Sequence, residues 1–249
     1  MTTTAAADLW VRGYHPAPDA ERRLVCFPHA GGSASFYFPV SRALSEVADV
    51  SSLQYPGRQD RRTEKGIDSV AELADQAAEA LRALDDERPL TFFGHSMGAV
   101  LAFEVARRFE QDGRGPVHVF ASGRRAPSAH RPENVHQRDD DGIIAEMRKL
   151  SGTDPRVLGD EELLRMVLPA IRSDYTAIET YRAEPDTRIG ADVTVLVGDD
   201  DPRTSLDEAR AWEQHTTGAF DLEVFPGGHF YLTDQAPAVI RLLKAHLAG

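Results

Sequence analysis

Leu90–Gly98 reads LTFFGHSMG. An apolar run ends in a G-x-S-x-G pattern at Gly94, Ser96 and Gly98, and Ala99–Gln111 follows with helical spacing. That strand–turn–helix setting is what a nucleophile elbow requires. The turn forces the serine into a strained backbone conformation that presents its hydroxyl clear of the sheet. Gly94 and Gly98 lack Cβ atoms, so neighbouring backbone can pass close by. The pattern predicts Ser96 as a nucleophile at the carboxyl end of a strand.

Working outward, further apolar runs lie at Leu24–Phe27, Val50–Tyr55, Val117–Ala121, Val193–Val197 and Leu222–Phe225. Most lack polar alternation, as strands do when a sheet is covered on both faces. Helical patterns lie between or after them at Val70–Leu84, Ser205–His215 and Ala236–Leu247. This alternation predicts an α/β fold with a mostly parallel sheet and helices on both sides. One region breaks the rhythm. Between about Pro127 and Pro185 no strand is evident, while Ile143, Ile144, Met147 and Leu150, then Leu163, Leu164, Val167, Leu168 and Ile171, recur at helical spacing. A single domain spanning 1–249 is expected, with a helical insertion over about 127–185 that packs against the core or serves as a lid.

The chain has 249 residues, 41% hydrophobic, enough for a full core. Its formal net charge of −12 argues against nucleic acid as a partner. The one cysteine, Cys26, permits no intrachain disulfide and suits a reducing, cytoplasmic setting; it reads as a buried strand residue. The N-terminal stretch shows no secretory pattern, and no apolar run is long enough to span a membrane. No spacing suggests zinc, and the aspartates at 199–201 lack the further oxygen ligands of a calcium loop, so neither metal nor cofactor is expected.

A serine hydroxyl needs a base, and the base needs an orienting acid. His229 lies in the loop PGGHF after the run Leu222–Phe225, with two glycines to bend that loop toward the sheet's carboxyl edge. His95 is adjacent to the serine in a tight turn and should point away from it. His29, in FPHAGGS, sits in a small-residue loop whose backbone matters more than the ring. The acid should fall between Ser96 and His229 in chain order. VTVLVGDDDPRT offers Asp199, Asp200 and Asp201. Asp201 is favoured, since Pro202 stiffens the turn behind it. Asp199 and Asp200 read as turn formers and solvated charge.

FPHAGGSASFY at Phe27–Tyr37, YPGRQDR at Tyr55–Arg61, GHSMGA at Gly94–Ala99, GDDDPRT at Gly198–Thr204 and GGHFYL at Gly227–Leu232 together resemble the type II thioesterases of polyketide synthase and nonribosomal peptide synthetase systems. The resemblance runs from about Leu24 to the C-terminus. It implies the α/β-hydrolase fold and hydrolysis of acyl thioesters from the phosphopantetheine arm of carrier proteins, clearing stalled or wrongly loaded chains. It implies a Ser96–Asp201–His229 triad. The backbone N–H of Met97 should serve as one oxyanion donor and that of Ala30, in the HAGG loop, as the other. The alternative within this fold is an esterase or lipase acting on small free esters. An acidic carrier meeting an acidic enzyme needs a local basic surface. Arg58, Arg61 and Arg62, or Arg124 and Arg125, are the candidates for docking the carrier or its phosphopantetheine phosphate; solvated arginines or internal ion pairs are the plainer reading of any single one.

Overall fold

The computed structural model describes residues 3–150 and 160–249, without the side chains of 3–6 and 161. Helix α1 (Thr3–Trp10) and the short strand β1 (Val11–Gly13) precede the first long apolar run, which forms β2 (Arg23–Phe27). Then come α2 (Phe38–Leu44), β3 (Asp49–Leu53), α3 (Val70–Arg82), β4 (Leu90–His95), α4 (Met97–Gln111) and β5 (His118–Ser122). Helices α5 (Asp140–Leu150) and α6 (Glu161–Thr180) separate β5 from β6 (Asp192–Gly198). The chain finishes with α7 (Leu206–Arg210), β7 (Phe220–Phe225), α8 (Tyr231–Asp234) and α9 (Ala236–Ala248).

The seven strands form one sheet in the order β1-β3-β2-β4-β5-β6-β7. Only β1 is antiparallel, pairing with β3. Every residue of β2 is buried, and so is every residue of β6 after Asp192. Alternate residues enter opposite layers, as the period of two demands. Val25, Phe27 and Phe92 pack with Phe103 of α4 and with Trp212, which lies just after α7; Leu24, Cys26 and Phe93 pack with Leu44 of α2 and Leu243 of α9. The exception is β7, an edge strand, where Val224 is exposed.

The strand order reverses at β2, which lies between β3 and β4. Such a switch point opens a crevice at the carboxyl ends of the strands. Phe27 pairs with Gly94 there, so the loops after β2 and β4 leave the sheet side by side.

The helical spacing within 127–185 corresponds to α5 and α6, preceded by a 3-10 turn at Val135–Gln137. Residues 151–159 of that segment lie outside the described residues. The two helices have a core of their own, in which Ile143, Met147, Leu164, Leu168 and Ile171 meet Val135. Asp160 caps α6 by accepting from the Glu162 and Leu163 N–H groups at 3.0 and 3.1 Å.

Candidate active site

Ser96 adopts φ 56° and ψ −116° between β4 and α4. A non-glycine residue there carries strain of about 1–3 kcal/mol, which the surroundings must enforce. They do so by close backbone approach. A Cβ on Gly94 would lie 2.1 Å from the Gly98 carbonyl oxygen, and one on Gly98 would lie 1.9 Å from the Phe27 oxygen. The Ser96 N–H donates to the Ser122 carbonyl at 2.8 Å, tying the turn to β5.

Ser96 Oγ stands 3.1 Å from His229 Nε2. On the far side of the ring, Nδ1 lies 2.9 Å from Asp201 Oδ2 and 3.1 Å from Oδ1. The Asp201 side chain is fully buried, and its Oδ1 also accepts from the Arg203 N–H at 2.7 Å. The loops after β6 and β7 are pinned together. Asp199 Oδ1 accepts from the Gly227 N–H at 2.9 Å, and a Cβ on Gly198 would lie 2.2 Å from the Gly227 oxygen. Asp199 is therefore a turn former, and Asp200 is exposed.

Two more histidines crowd the base. His95 Nδ1 is 2.9 Å from Ser122 Oγ, which in turn is 2.7 Å from the Tyr231 hydroxyl. Its ring centroid is 5.1 Å from that of His229. Burial, then the neighbouring His229 and His29, holds the His95 pKa well below the usual histidine range. His29 packs edge-on against Phe36 and Phe230, each at 4.8 Å between centroids. Burial, then His229 and Arg58, lowers its pKa to about 3. His95 turns its Nδ1 to Ser122 and His29 packs between two phenylalanines, so His229 is the imidazole that faces the serine hydroxyl.

A cavity of about 410 Å³ opens above Ser96 and His229. The HAGG loop forms one side of it, and Val167, Ile171 and Ile178 of α6 another. Met97 is the first residue of α4, so its N–H has no acceptor within the helix. The Gly31 N–H is already taken by Asp174 Oδ2 at 2.7 Å.

A family model for the thioesterase domain matches residues 22–247. The chain belongs to the thioesterase family. It is 60% identical over 238 residues to a Streptomyces griseus protein named as a probable cadicidin biosynthesis thioesterase, covering 96% of this chain and 66% of that relative's length. The solved type II thioesterase BorB from the borrelidin biosynthetic cluster matches with a TM-score of 0.90 at 50% identity, covering 96% of this chain and 98% of that one. YbtT, a type II thioesterase from the yersiniabactin NRPS/PKS biosynthetic pathway, matches at 0.81 and 31% identity, covering 96% and 100%. The fold is that of the α/β-hydrolase thioesterases, as the motifs implied.

Four of the five arginines offered for docking are buried rather than spread on an outer basic surface, and Arg58 and Arg124 line the cavity. Arg58 is buried and forms a two-pronged pair with Asp174, at 2.8 Å on each side. Arg61 is buried over the Trp10 ring, donates to the Gln54 carbonyl at 2.7 Å and pairs with Glu64. Arg124 and Arg125 are buried beside Glu133, which Arg125 and Arg203 both contact. Of the five, only Arg62 is exposed. Arginines following a strand carry the same letters whether they face water or a buried carboxylate; Asp174 lies 116 residues from Arg58, and Glu133, only 8 residues from Arg125, carries no local pattern that marks it as a partner. Asp174 left a readable trace. It falls on the apolar face of α6 with Ile171, Tyr175 and Ile178, at spacings of three, one and four residues. A carboxylate on an apolar face is buried only if it is paired.

Proposed function

We propose that this thioesterase hydrolyses short acyl groups from the phosphopantetheine arm of a carrier protein, and so clears stalled or misloaded chains from a polyketide or nonribosomal peptide assembly line. The observation that carries this reading is the relay of Asp201, His229 and Ser96 at the base of a cavity bounded by the HAGG loop and α6. The named pathways of the similar proteins supply the substrate class.

The chemistry follows from the positions. His229 Nε2 takes the Ser96 proton as Oγ attacks the thioester carbonyl. Asp201 keeps the other ring proton on Nδ1 and stabilises the imidazolium. The thiol leaves readily, since its pKa near about 8.5 makes the thiolate a far better leaving group than an amine. Water, activated by His229, then releases the acyl group as a carboxylic acid and restores Ser96. The oxyanion in each step is received by the Met97 and Ala30 N–H groups. A single such donor contributes about 2.7–4 kcal/mol to lowering the barrier. Helices α5 and α6 act as the lid that shapes the acyl pocket and limits water. The enzyme needs no metal or cofactor of its own for these steps; the phosphopantetheine arm arrives with the carrier.

The test is hydrolysis of an acyl-chain series loaded on carrier protein, run beside matched oxygen esters. Thioester turnover that depends on Ser96 and favours short chains is expected. A clear preference for free oxygen esters would instead place the enzyme among small-molecule esterases.

A further inference from the structure

The loop that carries Ala30 is held from the lid. Asp174, at the middle of α6, is fully buried, and its carboxylate accepts three hydrogen bonds. One comes from the Gly31 N–H at 2.7 Å, and two from Arg58 Nη1 and Nη2 at 2.8 Å each. Arg58 Nη1 also donates to the Gly32 carbonyl at 3.1 Å. The carboxylate and its guanidinium thus grip the N–H of Gly31 and the C=O of Gly32. One turn earlier, Ile171 closes on the same loop: a Cβ at Gly31, whose φ is +76°, would lie 2.9 Å from Ile171 Cγ1.

Below the loop the grip continues. Gln54 Oε1 accepts from the Ala34 N–H at 2.9 Å, Gln54 Nε2 donates to the Arg58 carbonyl at 3.2 Å, and the Tyr55 hydroxyl donates to the Pro28 carbonyl at 3.2 Å. Ala30 sits between the fixed points at Pro28 and Gly31. Because Asp174 occupies the Gly31 N–H, that group is withdrawn from the cavity.

We infer that Asp174, acting with Arg58, is a positioning residue for the thioesterase reaction: it fixes from the lid helix the loop whose Ala30 N–H receives the oxyanion. The inference rests on the assignment of Ala30 as a donor. It also gives α6 two tasks, since Ile171 and Ile178 line the acyl cavity while Asp174 holds the loop. A buried charge pair is weak evidence for stability alone, because desolvation offsets its attraction. Here its third hydrogen bond is spent on a loop backbone beside the nucleophile.

The substitution Asp174→Asn keeps the shape but replaces one accepting oxygen with a donor that faces Arg58 or Gly31. Four quantities are read on a small acyl thioester system: kcat, KM, the affinity of an acyl trifluoromethyl ketone, and the affinity of a non-hydrolysable acyl thioether. The ketone forms a hemiketal on Ser96 whose oxyanion needs the loop; the thioether needs only the pocket. Displacement of a reacting group by about 1 Å costs on the order of 100-fold, so kcat and ketone affinity should fall together by about 10- to 100-fold. KM and thioether affinity should hold. Unchanged kcat, or ketone and thioether affinities that fall in parallel, would overturn the inference. If D174N does not fold, Arg58→Lys, which keeps the charge and loses the two-pronged geometry, decides by the same criteria. A wild-type enzyme that neither turns over the thioester nor captures the ketone on Ser96 would sink the site assignment instead. Wild-type capture with an unaffected variant sinks only the role of Asp174.

Discussion

Asp201 reaches His229 with both oxygens of a fully buried carboxylate, 2.9 and 3.1 Å from Nδ1. The approach fixes which ring nitrogen carries the proton, and so leaves Nε2 free to take the proton of Ser96. Asp201→Asn keeps the shape but offers an N–H to the same nitrogen, which favours the wrong tautomer. The expected loss in kcat is about 10⁴-fold, with the fold retained. Steady-state kinetics beside circular dichroism checks this; a loss below tenfold would assign the acid elsewhere.

The histidine of the HAGG loop should matter far less than the one after β7. His29 touches Phe36 and Phe230 and makes no hydrogen bond to Ser96, whereas His229 does. His229→Ala should cost kcat about 10⁶-fold, as removal of the base does in serine hydrolases. His29→Ala opens a small gap under the loop and should cost far less. Parallel kinetics on the two variants separates them, and equal losses would contradict the division of roles.

His29 also predicts a pH dependence of stability. Its folded pKa is about 3 against the ordinary 6.5, because burial, then the charges of His229 and Arg58, disfavours the imidazolium. The unfolded chain therefore binds a proton across that window which the folded chain refuses. The stability gained by keeping the ring neutral is complete above pH 6.5 and is lost as the pH falls toward 3. Denaturant unfolding of His29→Phe should show a shallower decline over that range than wild type. An identical slope would mean that the ring is charged in the fold.

Glu133 answers for two buried arginines, Arg124 and Arg125, and for the half-buried Arg203. Burial pushes its pKa up, but the hydrogen bond from Arg125 and the charges of Arg124, Arg125 and Arg203 overcome this and lower it to about 2. Glu133→Gln removes the carboxylate that Arg124 and Arg125 share, while Arg203 keeps Glu146, and should cost on the order of 3 kcal/mol. At this chain length that is roughly 6–12 °C in Tm, readable by calorimetry at neutral pH. The difference between wild type and variant should shrink as the pH drops through 4.5 toward 2, where wild-type Glu133 itself becomes neutral.

Much of this was legible in the chain. The runs around Leu24, Leu90, Val117 and Val193 are largely apolar on both faces, so their strands announced a covered parallel sheet, and Gly94-x-Ser96-x-Gly98 marked where it opens. The three-residue strand Val11–Gly13 was not legible, because its pairing with Leu53, Ser52 and Ser51 is made by backbone groups that no side-chain period records. Helix α2 spans only seven residues, too few for a helical period to show, and carries its proline in the first turn, where proline is welcome. The burial of Arg58 was not legible for a related reason: a charge looks solvated until its partner is known, and Asp174 stands 116 residues away.

The most direct measurement is single-turnover hydrolysis of an acetyl- or propionyl-loaded carrier protein by the wild-type enzyme and by Ser96→Ala, with His229→Ala alongside. The account predicts rapid release of the short acid by wild type and loss of that release in both variants. Release at the wild-type rate by Ser96→Ala would contradict it.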